Sequence, residues 1–142
     1  MKLLERTVLI LMLITASIGT SFGQSQPVEA AYLSVKSMVA STRSNPVPYY
    51  QNDYKVQASF VITELTEVQN IHIELKKDGL SNTTLTIPLD PVNPSNFNGY
   101  KRIDNTVYLD FGVFQGKSTF EFSVSLEDQN NSISPVVTSQ IN

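Results

Sequence analysis

Residues 117–141, KSTFEFSVSLEDQNNSISPVVTSQI, contain the clearest structural pattern in the chain. Apolar and polar residues alternate from Phe120 to Leu126, and successive side chains of an extended strand point to opposite faces. Such a strand carries two aromatic rings and two aliphatic side chains on one face. A polar loop, 128–131, and a second apolar run, 133–137, then predict a hairpin. Because the rings need a second sheet to cover them, the pattern favours a β-sandwich.

Five segments upstream of this hairpin show similar alternation: 32–39, 54–62, 71–75, 83–89 and 107–111. Asp78-Gly79 lies between the third and the fourth, and this pair favours the positive φ angles of a tight hairpin turn. Pro88 cannot donate a ladder hydrogen bond, so we expect the fourth strand at a sheet edge. Residues 90–104 are rich in Pro, Asn and Asp and predict an irregular connection. Seven strands without a helical period predict an antiparallel sandwich.

The N-terminus has the parts of a secretory signal. Residues 1–6 include two basic side chains, and residues 7–18 are almost wholly apolar but shorter than the ~20 residues of a membrane span. Ser21 and Gly23 are small residues with the spacing of a leader-peptidase site. We therefore expect a cleaved signal peptide, a short polar leader and one sandwich domain, over residues 1–23, 24–29 and 30–142 respectively.

Charge and cysteine content narrow the location and the partners. Cleavage would remove two basic residues and one acidic residue, so the formal net charge would go from −3 to −4. This charge argues against nucleic acid and anionic membrane surfaces as partners. The chain has no cysteine and therefore no disulfide or lipid-acceptor thiol. We expect an exported protein, periplasmic or secreted and associated with the cell surface, with no membrane span after cleavage.

The order of the strands also resembles a known family. The aromatic strand that begins at Phe120, its polar loop and the Ser-Pro segment 132–136 resemble the last hairpin of fibronectin type III and related immunoglobulin-like domains in exported bacterial proteins. The resemblance extends over residues 30–141 and implies a seven-stranded immunoglobulin-like sandwich. The chain departs from the family in having no Trp and in having Phe120 where a corner tyrosine is expected. Gln24, directly after the expected cleavage site, resembles exported proteins of the Bacteroidota.

The residue content disfavours most catalytic chemistry. The absence of cysteine and the single histidine exclude thiol nucleophiles and the usual zinc sites. His72 lies between two isoleucines of a strand, which predicts an ordinary surface histidine on the polar face of a sheet. A Ser-His-Asp site would need a turn of the Gly-x-Ser-x-Gly type, and the expected domain, residues 30–142, contains no such pattern. We expect no enzyme activity, no cofactor and no metal site.

Two weaker alternatives stay open. Loop carboxylates could meet across loops as in a hydrolase. Loop oxygens could also form a weak calcium site, with ligands from Asp90, Asn93, Asn96, Asp128 and Asn130. Their spacing is not that of a self-contained calcium-binding loop, and Asp and Asn are also common in turns.

Aromatic residues in loops are the most informative surface feature. Tyr49, Tyr50, Phe97 and Tyr100 lie in Pro- and Asn-rich connections, and aromatic rings offer large contact area. They either form a platform for a partner or plug the open ends of the sandwich. The sequence favours a binding or structural module that contacts an envelope or extracellular protein, with these four residues as candidate contacts. A small carbohydrate-binding module is the alternative, and a hydrolase comes third.

Overall fold

Two four-stranded antiparallel sheets face each other in the computed structural model, which describes residues 29–44, 53–90 and 95–141. Its strands are β1 (Val35–Ser44), β2 (Asp53–Ile62), β3 (Val68–Lys77), β4 (Leu80–Pro88), β5 (Tyr100–Ile103), β6 (Thr106–Gln115), β7 (Phe120–Asp128) and β8 (Val137–Ile141). The β2–β6 sheet has the order β1-β2-β6-β5, and the β3–β7 sheet has the order β4-β3-β7-β8. The prediction of an all-β antiparallel sandwich is confirmed, and the architecture is compatible with an immunoglobulin-like fold.

The strand count is eight in the described part of the chain, so the prediction of seven was wrong. The additional strand, β5, lies inside the segment 90–104 that was expected to be irregular. It has only four residues, most of them exposed, and therefore shows no alternation. Pairing with β6 defines it, from Tyr100 opposite Leu109 to Ile103 opposite Thr106.

The two ends of the domain also differ from the expected strand limits. β1 begins at Val35 because the preceding residues form a turn, in which the Leu33 N–H donates to the Ala30 carbonyl. β8 begins at Val137, and Ile133 instead makes isolated bridges to Glu29 and Glu127. The expected signal peptide, residues 1–23, lies outside the described residues.

The core forms as the alternation of β7 predicted. Phe120, Phe122, Val124 and Leu126 are each at most 1% exposed. The ring of Phe122 lies 6.2 Å from that of Phe60 on β2 and 5.7 Å from that of Phe111 on β6. These contacts join the two sheets through one continuous apolar layer.

The β3–β4 connection agrees with the sequence prediction. Asp78 and Gly79 have φ angles of 51° and 79°, the left-handed values that a two-residue hairpin turn requires. Within the described residues β4 pairs only with β3 and is therefore an edge strand, with Pro88 as its last residue. At an edge position the N–H donor that proline lacks is not needed for a hydrogen bond to a neighbouring strand.

Asp128 joins the beginning of the domain to the β7–β8 loop. Its Oδ1 accepts hydrogen bonds of 2.8 Å from the backbone N–H groups of both Asn130 and Ser132. The Tyr32 hydroxyl donates to Oδ2, which raises the pKa of Tyr32 to about 12. Nearby, the Ala30 N–H donates to the Ile133 carbonyl at 2.9 Å. The segment before β1 is therefore fixed against the end of the β3–β7 sheet.

Candidate binding surfaces

The aromatic residues suggested by the sequence fall in two groups. Tyr49 and Tyr50 lie outside the described residues. Phe97 and Tyr100 are half-buried and pack against the core. The ring of Phe97 lies 6.0 Å from that of Phe111, and burial raises the pKa of the Tyr100 hydroxyl. Phe97 and Tyr100 thus pack the end of the connection from β4 to β5, which crosses between the two sheets, against the core. A role for all four residues in binding stays a prediction.

An open cleft of about 760 Å³ lies at the end of the sandwich near this crossing. Its lining is mostly polar or aliphatic: Leu65, Thr66, Val68, Gln69, Asn70, Pro88, Leu89, Asp90, Arg102 and Gln129. A smaller depression of about 270 Å³ includes Tyr100 and Lys101 together with Arg102. Arg102 donates to the backbone carbonyl of Asp104 at 3.1 Å. The cleft offers hydrogen-bonding groups and lacks an exposed aromatic surface.

The outer face of the β2–β6 sheet carries exposed apolar side chains. One row of paired residues crosses all four strands, with Val39, Ser59, Tyr108 and Lys101 side by side. Val39 is 60% exposed and Tyr108 is 43% exposed, and Ile103, in the next row, is 47% exposed. We call this surface the Tyr108 face and define it by Val39, Ser59, Lys101, Ile103 and Tyr108. It borders a shallow groove of about 360 Å³.

Charged residues surround the Tyr108 face. Asp110 lies one row away, where its Oδ2 is 2.7 Å from the Lys55 Nζ and accepts a 3.2 Å hydrogen bond from Gln57. Partial burial disfavours the carboxylate, but hydrogen bonds from Lys55, the Gly112 N–H and Gln57 hold the pKa of Asp110 below its usual range. Lys101 is exposed. The face thus combines exposed apolar side chains with the charged Lys101, and the Lys55–Asp110 ion pair lies beside it.

The outer face of the β3–β7 sheet is polar. Glu121 lies 3.0 Å from the Lys76 Nζ and also accepts a hydrogen bond from Gln140. The Lys76 contact lowers the pKa of Glu121 and raises the pKa of Lys76. Glu74 lies 3.8 Å from the same ammonium group. These ion pairs are partly exposed, so they contribute little to stability.

His72 lies on this polar outer face, as the sequence predicted. Its Nε2 is 2.6 Å from Glu127 Oε2, and its Nδ1 is 3.2 Å from Thr86 Oγ1. A carboxylate, an imidazole and a hydroxyl in contact resemble a nucleophile with its base, but acyl transfer also needs N–H donors for an oxyanion. β3 pairs with β4 on one side and with β7 on the other, so its backbone N–H groups donate hydrogen bonds within the sheet rather than to an oxyanion.

The loop oxygens considered for calcium are partly occupied. Asp128 contacts Tyr32, Asn130 and Ser132 through its carboxylate, as described above. Asn93 lies outside the described residues. In the segments that the structure describes, no group of three or more His, Asp or Glu side chains could hold a metal ion.

The remaining findings concern membrane-spanning helices and similarity to known proteins. Among residues 29–44, 53–90 and 95–141, no helix is both long enough and apolar enough to cross a membrane. No protein-family model matches the chain, and searches of curated proteins and of solved structures find no match.

The sequence analysis did not identify the Tyr108 face. Val107, Leu109 and Phe111 indicated a strand, but the outward-facing Tyr108 between them was not singled out. The available signal was an aromatic residue at a solvent-facing position between two buried ones. Val39 joins it only through the pairing of β1 with β2 and of β2 with β6, which no local pattern in the sequence reveals. Ile103 joins it through the pairing of β5 with β6.

Proposed function

We propose that this protein is an exported, non-enzymatic binding module that makes protein–protein contacts in the cell envelope through its Tyr108 face. The observation that supports the proposal is the difference between the two outer sheet faces. Val39, Ile103 and Tyr108 are exposed together on one, whereas the other carries polar side chains. Exposed apolar residues that cluster on one surface mark interaction sites, whereas scattered ones need no explanation.

The composition of the Tyr108 face suits a protein partner. Protein interfaces have an apolar, often aromatic centre and a charged rim, and tyrosine is among the residues that carry most binding energy. Tyr108 is flanked in its row by Ser59 and Lys101, with Val39 beyond Ser59. Because the two central strands of this sheet hold Ser59 and Tyr108, these side chains would lose little conformational entropy on binding. The resemblance to fibronectin type III domains and the expected signal peptide support an exported bacterial binding domain.

A pull-down from the native envelope tests the proposal. A Tyr108→Ala/Val39→Ser double variant should recover the wild-type partner at least about tenfold less well, because it removes the apolar centre of the face. Leu80→Ser is the matched control, since Leu80 is 75% exposed but lies at the β3–β4 turn of the other sheet. A folded double variant that retains wild-type recovery would refute the role of the Tyr108 face.

The same assay can test the loop residues suggested by the sequence. A Tyr49→Ala/Tyr50→Ala double variant should reduce recovery if these rings contact the partner. Melting temperature separates loss of contact from loss of folding. If this variant alone reduces partner recovery, the contact is assigned to the loop and not to the sheet face.

A carbohydrate ligand is the second candidate, and one feature favours it. The groove beside Tyr108 is lined by hydrogen-bonding side chains next to an exposed ring, including Gln57, Ser59, Lys101 and Asp110. Sugar recognition uses stacking on an aromatic ring together with polar contacts. A glycan array separates the two candidates, because only a carbohydrate-binding module would give signals that disappear in Tyr108→Ala.

A further inference from the structure

The four edge strands of the sandwich are protected to different degrees. β1 and β8 approach each other along one side of the sandwich, so neither edge is fully open. β5 has only four residues and includes Lys101 and Arg102. β4 has nine residues, and none of them is charged. Short length, charged side chains, proline, β-bulges and covering elements are the usual means of blocking an edge. β4 is long and uncharged, and its own protections are a bulge at Asn82 and the terminal Pro88.

Part of the β4 edge is also open to solvent. Ser95–Phe97 approach its C-terminal half and share a cavity of about 500 Å³ with Leu85–Pro88. The N-terminal half is different, because Leu80 is 75% exposed, and Ser81, Asn82 and Thr84 are exposed as well. On the side away from β3, these residues have no paired strand in the described part of the chain. Their free backbone donors and acceptors can accept another strand.

We propose that β4 pairs in antiparallel orientation with β4 of a second copy of this chain, which joins two β3–β7 sheets into one eight-stranded sheet. A two-fold contact requires a surface that is complementary to itself, and an uncharged edge meets its copy without repulsion. The threonines of β4 can form cross-strand pairs, which stabilise antiparallel sheets.

A second copy is a better occupant than a flexible peptide. Its β4 is already extended and held by β3, so pairing does not require ordering of a disordered segment. The open half of the strand is short, so we expect a weak dimer with a Kd on the order of 100 µM. The contact lies on the β3–β7 sheet and is independent of the Tyr108 face.

Sedimentation velocity of the exported chain between about 5 µM and about 1 mM tests this pairing, a range that spans the expected Kd. The wild type should shift from one copy to two as concentration rises. Asn82→Lys/Thr84→Lys and Asn82→Glu/Thr84→Glu should each remain monomeric, because like charges would face each other across the two-fold axis. An equal mixture of the two variants should dimerise again, because opposite charges then meet.

Two controls make the outcome specific. Thr66→Lys/Gln69→Lys adds the same charge at exposed positions near the other end of β3 and should dimerise like the wild type. Partner recovery through the Tyr108 face should be unchanged in the β4 variants, so this inference and the proposed function can fail separately. A wild type that is monomeric at every concentration, or a Lys variant that dimerises like it, would overturn the inference.

Discussion

Phe122→Ala should be the most destabilising ring truncation in the domain. The side chain of Phe122, the third residue of β7, is fully buried, and the centre of its ring lies 6.2 Å from that of Phe60 and 5.7 Å from that of Phe111. Phe60 belongs to β2 and Phe111 to β6, so the substitution removes a contact between the two sheets. The flanking strands β3 and β8 hold the β7 backbone in place on both sides. The cavity that forms can therefore collapse only partly.

The magnitude follows from burial and ring pairing. Loss of a buried phenylalanine ring costs about 3–5 kcal/mol, and ring pairs add about 0.5–1.5 kcal/mol each beyond burial. Because the substitution removes both ring pairs, we expect the upper part of the range, about 4–5 kcal/mol. Native domains have a free energy of unfolding of about 5–15 kcal/mol, so the substitution would remove most of the stability of a domain near the lower end of this range. At about 4 °C or more per kcal/mol, the melting temperature should fall by at least about 16 °C.

Tyr108→Ala is the matched control because it also removes an aromatic ring from a central strand. Tyr108 is 43% exposed on the outer face, so its loss should cost about 1 kcal/mol or less, which reflects strand propensity rather than a cavity. Denaturant unfolding with equal m values gives the comparison. If the two variants lose similar stability, the assignment of buried and exposed faces is incorrect.

Three further predictions concern the turns, the Asp128 contacts and processing. Gly99→Ala should destabilise the domain more than Gly79→Ala, because an added Cβ at Gly99 would clash with the Asp110 carbonyl. A Cβ at Gly79 has free space, so that variant should lose only the about 1–2 kcal/mol of a left-handed backbone conformation. Thermal melts showing the reverse order would contradict this. Hydrogen bonds from the Tyr32 hydroxyl and from the N–H groups of Ser132 and Asn130 lower the pKa of Asp128 in the folded protein. The stability that this carboxylate contributes is therefore complete above the usual carboxyl pKa of about 3.9. It is lost as the pH falls through the lower pKa of the folded state. The difference in melting temperature between wild type and Asp128→Asn should therefore narrow below about pH 4, and a constant difference down to about pH 2 would count against it. Mass spectrometry of the exported protein should find a chain that starts within about three residues of Gln24, and an intact Met1 in the membrane fraction would rule out cleavage.

The sequence predicted those parts of the fold that depend on local patterns. Alternation identified the buried face of β7, and Asp78-Gly79 identified the hairpin turn, because both signals reside in adjacent residues. The edge position of β4 followed from Pro88, since a proline cannot serve a ladder on both sides. Each prediction used a constraint that acts within about ten residues.

The missed features depend on strand pairing and not on alternation within one segment. β5 is a strand because β6 supplies its partners, and its own residues carry no alternation. The segment around Ile133 was expected to begin the last strand, but Ile133 bridges Glu29, which lies about a hundred residues earlier in the chain. The Tyr108 face is of the same kind, because three separate strands contribute its apolar residues. Such surfaces become visible only once the strand order is known.

The register that builds the core also determines which residues the protein can present to a partner. Val107 and Leu109 are buried in the core, so the alternation of β6 forces Tyr108 to the outside. A shift of one residue would expose both aliphatic side chains, and the core therefore fixes the orientation of Tyr108. A contact residue fixed in this way binds with little loss of conformational entropy. For this reason we propose the Tyr108 face as the principal contact.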